Sequence, residues 1–308
     1  MVRTGRSMGS IRFMLVIANI FGIIAGVFGI GALIYLLQMT FKQGVSSEDL
    51  KNIFDNIDAK YIPILFGFIG FVSIGNIYYC AFLINFIRKS DDDTLINNRW
   101  ILAVFSLSVG GVFTPIVLAQ MPNVNVKSTI SPKFTISKGY GFNALIAPLG
   151  GLAFYLLFTK AINLGYELNQ ISIIFYSVIG LMMFWGVLNI MLFALPNSKE
   201  AWNKKGSQYT FMNLVATINM IYATIILMIQ IIISIWSIIT IISDLVGRRG
   251  NSMSFINALL APLRIAMQLF IIFTIIKTIK GLWAKSDSFE YGVYTNLSEK
   301  QRNYEMNR

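Results

Sequence analysis

The sequence predicts an all-α fold: a polytopic helix bundle that lies in a membrane and has about seven transmembrane helices. The chain is 56% apolar and 13% charged, whereas a soluble domain carries roughly 25% charged residues. Long apolar runs recur along the whole length, and about 20 such residues cross a bilayer as a helix. A heptapeptide at 143–149, NALIAPL, also returns at 257–263 as NALLAPL.

The apolar runs divide into predicted spans at 13–37, 61–87, 100–121, 142–162, 171–195, 211–242 and 255–279. The first run is too long for a cleaved signal peptide and is interpreted as an uncleaved span. Between the first two spans, apolar residues at helical spacing predict an amphipathic surface helix at 46–60. The whole is predicted to be one transmembrane helical domain over 1–285, followed by a short polar tail over 286–308.

The two heptapeptides are identical at six of seven positions and lie 114 residues apart. Spans two to four and spans five to seven begin at similar offsets, which predicts repeat units at 61–165 and 171–280 plus an extra first helix. A unit with three crossings must invert when it is repeated in tandem, so the pattern predicts the 3+3 inverted repeat of many secondary transporters. The alternative is a chance match within the small alphabet of apolar spans.

The repeat suggests five candidate substrate-binding residues: Asn143, Pro148, Asn257, Pro262 and Arg264. An Asn at the mouth of a span and a Pro within it are typical of a helix that is interrupted or capped there. An ionisable residue inside a span usually faces the bundle interior or a cavity. For Arg264, the alternative is that the side chain extends to the membrane interface.

Several functional classes are disfavoured by composition. The chain has no histidine and one cysteine, Cys80, which removes the commonest general base, an internal disulfide and a Cys-based metal site. No nucleophile or phosphate-binding motif occurs, so we expect no catalytic residue, no metal and no cofactor. The acidic run at 91–93 is interpreted as a solvated loop, and the Gly-Tyr-Gly at 139–141 as a glycine turn rather than an ion filter.

The net charge is +11. In a membrane protein, Lys and Arg in loops set topology and contact anionic headgroups, so the expected partner is the lipid bilayer and not nucleic acid. The glycines of the first span, Gly22, Gly26, Gly29 and Gly31, allow close helix approach. Packing within the chain is favoured for them over a dimer contact.

The sequence favours two functions, and a third, a membrane enzyme that acts on lipid, ranks well below them because no nucleophile motif and no paired intramembrane carboxylates occur. The first is a solute transporter or permease subunit, which the repeat, the paired prolines and Arg264 favour. The second is a structural or accessory subunit that packs against other membrane subunits and has no transport of its own. The Ile-, Asn- and Lys-rich usage is typical of an AT-rich bacterial genome and predicts a multi-pass plasma-membrane protein. The larger Lys and Arg count in the tail favours a cytoplasmic C-terminus.

Overall fold

A computed structural model describes residues 7–43, 61–109, 111–121, 131–162, 170–247 and 255–285. Within these ranges the regular elements are all helices. Their bounds are α1 (Met8–Gln43), α2 (Ile62–Lys89), α3 (Asp92–Asn97), α4 (Arg99–Ser108), α5 (Phe113–Leu118), α6 (Pro132–Ala161), α7 (Gln170–Phe193), α8 (Ser198–Lys204), α9 (Ser207–Gly247) and α10 (Phe255–Lys285). The predicted surface helix at 46–60 and the tail at 286–308 lie outside the described residues.

Six of the described helices, α1, α2, α6, α7, α9 and α10, are long and apolar enough to cross a membrane. This agrees with the predicted multi-spanning, all-α class. The longest is α9, which continues unbroken for 41 residues, or about 60 Å at the usual helical rise. That is roughly twice the hydrocarbon thickness of a bilayer.

The predicted third span, 100–121, differs from its expected form. It consists of the short helices α4 and α5, and the chain between them leaves the helical path after Ser108. Gly111 N–H donates to the carbonyl of Ser106, and Ser106 Oγ donates back to the carbonyl of Gly111. A Cβ on Gly111 would lie 2.7 Å from Ser106 Oγ, so this close loop depends on glycine.

The polar stretch before the fourth span is helical from Pro132 onward, so the predicted loop over 122–141 is wrong for its second half. Proline suits the first position of a helix, where no backbone donor is needed. Ser131 caps this end, since its Oγ accepts from the N–H of Phe134. The predicted glycine turn at 139–141 is therefore wrong as well: this triplet lies inside α6, with Tyr140 buried.

The two heptapeptide prolines do not interrupt their helices. Pro148 lies inside α6 and Pro262 inside α10, and both helices continue past them. The first heptapeptide lies near the middle of α6, whereas the second lies in the first turns of α10. The expectation of helices interrupted or capped at these sites is thus not met, and the inverted repeat stays a prediction.

The described chain forms two compact units. The first contains the described residues within Met1–Val16, Phe86–Thr135 and Ala216–Arg308, and the second contains those within Ile17–Asn85 and Ile136–Val215.

In the second unit, glycines of α1 form a close seam with α2. A Cβ on Gly22 would collide with the thiol of Cys80, and a Cβ on Gly26 would lie 2.8 Å from the carbonyl oxygen of Ser73. Asn76 adds a hydrogen bond from Nδ2 to the carbonyl of Gly22 at 2.9 Å. The glycine pattern thus packs one helix against another within the chain, as the sequence analysis favoured.

The core of the second unit joins α1, α2 and α6. Its buried members are Leu33, Ile62, Phe66, Phe154, Phe158 and Ile162. The rings of Phe66 and Phe158 stack with centroids 4.0 Å apart. Close approach of α2 and α6 depends on small residues, because a Cβ on Gly67 would lie 3.0 Å from the carbonyl of Gly151. Van der Waals packing of this kind is the main force between helices in lipid.

Candidate functional site

The first heptapeptide lies in the second unit, where its two candidate residues are buried. Asn143 is 8% exposed, and its amide faces Gly75 of α2, where a Cβ would lie 3.2 Å from Oδ1. Among the described residues, Asn143 Oδ1 has no hydrogen-bond partner. Pro148 is buried five residues further along α6. The contact with Gly75 places Asn143 in helix packing.

The second heptapeptide lies in the first unit, in a different environment. Pro262 and Arg264 are exposed on α10, and the side chain of Asn257 lies outside the described residues. Arg264 forms no ion pair within the described part of the chain. A substrate-binding role for these five residues stays a prediction.

The first unit contains a cavity of about 370 Å³ bounded by α4, by α5 with the residues after it, and by α10. We call it the α4–α5–α10 cavity. Asn143, Pro148, Pro262 and Arg264 do not line it. Its walls are Arg99, Trp100, Ala103, Pro115, Leu118, Ala119, Met121, Phe270, Phe273, Thr274, Lys277 and Thr278.

The start of α4 is positioned by the short helix α3. The carboxylate of Asp91 caps α3 by accepting from the N–H of Thr94, so the acidic run begins a helix instead of forming the predicted solvated loop. At the other end of α3, Asn98 Nδ2 donates to the carbonyl of Thr94 at 3.0 Å. This turn leads directly into Arg99, the first residue of α4.

The Asp91 carboxyl has a pKa below its ordinary value. Burial alone raises this pKa, but hydrogen bonds from Thr94 and the nearby charge of Arg12 lower it further than burial raises it. Arg12 also forms an ion pair with Asp92 at 2.7 Å and donates to the carbonyl of Ile87 at the end of α2. One guanidinium thus connects α1, α2 and α3 within the first unit.

A close contact between α4 and α10 fixes one wall of the cavity. Gly281 packs against the indole of Trp100, and a Cβ at this position would collide with the ring. Further along α10, Trp283 donates from Nε1 to Thr224 Oγ1 at 3.1 Å, which connects α10 to α9. The end of α10 is therefore held from two sides.

Two cations line the cavity. The guanidinium of Arg99 lies 5.6 Å from the ring centroid of Trp100, and its Nε donates to the carbonyl of Ile96. The ammonium of Lys277 lies 4.3 Å from the ring centroid of Phe273 and has no ion-pair partner within the described ranges. None of the described residues that line the cavity is acidic, so the charged groups they contribute are both positive.

Sequence reasoning missed both cations. Lys277 could have been identified, because it is an ionisable residue inside the predicted seventh span, as Arg264 is. Arg99 carried no such signal, because it precedes a span and resembles any loop cation. Arg99 and Lys277 line one cavity only because α4 and α10, which are far apart along the chain, are in contact.

No protein-family model, no curated protein and no solved structure matches the chain. Its function is therefore inferred from its own residues. What the composition and the six long apolar helices support is a multi-spanning membrane protein.

Proposed function

We propose that the chain is a solute transporter or permease subunit, and that the α4–α5–α10 cavity binds an anionic solute. The observation that carries the proposal is the interrupted segment α4–α5 beside a cavity with two cations. The other apolar segments of the described chain are long continuous helices.

A break in a membrane helix has a physical cost, because lipid offers no hydrogen bonds to the freed backbone groups. Such breaks are tolerated where the backbone is buried in protein or lines a cavity. In α4, residues 101–107 are all buried, and Pro115 of α5 lines the cavity. Transporters use interrupted helices in this way to form their binding sites, which supports the proposal.

Solute flux tests this function directly. The purified full chain is reconstituted in liposomes preloaded with a set of small organic anions, and their exit is measured. At least one anion should leave faster than from protein-free liposomes. Lys277→Gln should slow this exit by about tenfold, because a charge-assisted hydrogen bond contributes about 1.5–3 kcal/mol.

The matched control is Lys280→Gln. Lys280 is an exposed cation on the same helix, one turn further along, and does not line the cavity. Its loss should leave flux unchanged. The proposal fails if no anion leaves through the protein, or if the two glutamine variants reduce flux equally.

A second candidate function is that of an accessory subunit, and the exposed Arg264 favours it. An arginine presented on the outer face of an apolar helix is costly in lipid, and a carboxylate of another membrane subunit would remove that cost. On this reading the reconstituted chain supports no flux. A stoichiometric partner should then be retained by the wild type in mild detergent and released by Arg264→Glu.

We further propose that the protein resides in a bacterial plasma membrane with its C-terminus in the cytoplasm, as the Lys and Arg distribution favours. Labelling of single cysteines in intact cells tests the orientation. A Cys80→Ser background removes the one native thiol. A cysteine placed in the tail should then stay unlabelled by an impermeant reagent until the cells are opened.

A further inference from the structure

We infer that the α4–α5–α10 cavity recognises an anionic amphiphile: a molecule with a phosphate or carboxylate head and an alkyl chain. That this amphiphile is transported rests on the proposed function, whereas its binding to the cavity does not. Four features of the first unit lead to this class of ligand: the placement of the cations, the apolar wall, the cavity volume and the lack of an acidic side chain among the described lining residues.

Both cations lie near the contact between α4 and α10. Gly281 packs against Trp100, so the end of α10 lies beside the start of α4. Arg99 immediately precedes Trp100, and Lys277 lies one helical turn before Gly281. Arg99 and Lys277 therefore line the same cavity and each lies within about one helical turn of the contact between Trp100 and Gly281.

The rest of the wall is apolar. From Lys277 back to Phe270, α10 extends for about 10 Å and presents two aromatic rings, Phe270 and Phe273. Ala103, Pro115 and Leu118 line the cavity from α4 and α5. The hydroxyls of Thr274 and Thr278 donate to carbonyls of their own helix, so they do not make this wall polar. A ligand that fits this wall has an alkyl chain.

The head is expected to be anionic. A guanidinium presents a planar fork of N–H donors that matches a phosphate or carboxylate, and an ammonium adds a point charge. An acidic lining residue would oppose an anion, and none occurs among the described residues that line the cavity.

The volume limits the size of the ligand. About 370 Å³ lies near the lower end of the usual range for small-molecule sites, roughly 300–1,000 Å³. It suits one head and one chain. A two-chain phospholipid would place one chain in the cavity and leave the other in the bilayer, so a soluble alkyl phosphate and a membrane lipid share the recognised chemistry.

Quenching of tryptophan fluorescence provides the test, because Trp100 lines the cavity. The full chain is placed in nanodiscs of zwitterionic phosphatidylcholine and titrated with dodecyl phosphate brominated at the chain end. We expect saturable quenching that Trp100→Phe largely removes. Lys277→Gln should weaken binding by about tenfold or more, while Lys280→Gln should bind like the wild type.

Arg99 is examined by two substitutions, since it is partly buried at the start of α4. Arg99→Lys keeps the charge and loses the fork, so it should bind more weakly than the wild type and more tightly than Arg99→Gln. If Arg99→Gln does not fold, the comparison of Lys277→Gln with Lys280→Gln still decides the matter, because both positions are exposed.

Three competitors define the ligand class. If inorganic phosphate competes as strongly as dodecyl phosphate, the ligand needs no alkyl chain and the inference is wrong. If a neutral dodecyl glycoside competes as strongly, the ligand needs no charge and the inference is also wrong. Phosphatidylglycerol incorporated in the nanodisc should compete if the source is a membrane lipid, and weak competition would point to a soluble amphiphile; either result supports the shared chemistry. Binding without flux would refute the transport proposal alone, whereas flux of small anions without amphiphile binding would refute this inference alone.

Discussion

Gly281 of α10 and Trp100 of α4 are in direct contact, and the space between them does not admit a methyl group. The colliding atoms belong to the fused part of the indole, so a larger residue at 281 must displace the whole ring. This contact holds together two walls of the α4–α5–α10 cavity, and it gives the first prediction.

Gly281→Ala should lower the free energy of unfolding by about 1–3 kcal/mol, the usual cost of inserting a methyl group into a packed contact. Gly180→Ala in α7 is the control, since a Cβ there meets nothing within 4 Å. That substitution should be neutral or slightly stabilising, because alanine favours helices by about 0.8–1 kcal/mol over glycine. Thermal unfolding in a nonionic detergent measures both. Equal stability of the two variants would show that the contact is absent.

Gly22→Cys should form a disulfide with the native Cys80. A Cβ on Gly22 lies 3.7 Å from the Cβ of Cys80, and disulfides join Cβ atoms about 3.5–4.5 Å apart. After mild oxidation and then denaturation, which exposes the buried Cys80, a thiol-reactive polymer tag should no longer modify the monomer. Gly31→Cys, where a Cβ meets nothing within 4 Å, should keep both thiols reactive. Covalent dimers from Gly22→Cys would indicate that the glycine seam of α1 faces another molecule.

Asp91 should make stability sensitive to acid. Because the pKa of its carboxyl is lowered in the folded state, its contribution is fully present above the ordinary Asp pKa of about 3.9. This contribution is lost as the pH falls below that value and through the folded-state pKa. The gap in unfolding free energy between wild type and Asp91→Asn should therefore shrink from pH 7 to pH 3. A gap that stays constant would mean that Asp91 does not titrate differently in the folded chain.

Arg12 should contribute more to stability than its ion-pair partner Asp92. The pair itself is partly exposed, with side-chain exposures of 24% and 43%, so a double-mutant cycle with Arg12→Gln and Asp92→Asn should give a coupling of about 0.2–1 kcal/mol. Arg12→Gln should cost more than Asp92→Asn, because it also leaves the carbonyl of Ile87 without its donor. Chemical unfolding of the three variants measures this, and equal single costs would contradict it.

The long helices could be predicted from the sequence because apolar length alone defines them. The expected first and sixth spans correspond to α1 and α9, although each helix extends past the apolar run. The break between α4 and α5 could not be predicted in the same way. Gly111 and Pro115 allow a break, but they also occur in kinked continuous helices, and the difference depends on what buries the freed backbone groups.

The candidate site was harder to predict than the fold. Asn143 and Arg264 were selected because of the repeated heptapeptide. Similar short sequences can nevertheless pack in different environments, because the residues around them in the fold differ. Asn143 is buried against Gly75, whereas Arg264 is exposed. The cavity instead depends on the contact between Trp100 and Gly281. No local sequence pattern predicts a contact between residues so far apart in the chain.

The length of α9 affects the choice of membrane. At about 60 Å, with 41 residues in one unbroken helix, it exceeds the hydrocarbon layer even when it tilts by about 40°, the upper end of the usual range. The surrounding lipid must thicken, or apolar side chains must enter the headgroup region, and each Å of mismatch costs a fraction of a kcal/mol. The protein should therefore partition into the thicker domains of a laterally heterogeneous bilayer, and lengthening the acyl chains of a synthetic one should raise its unfolding temperature.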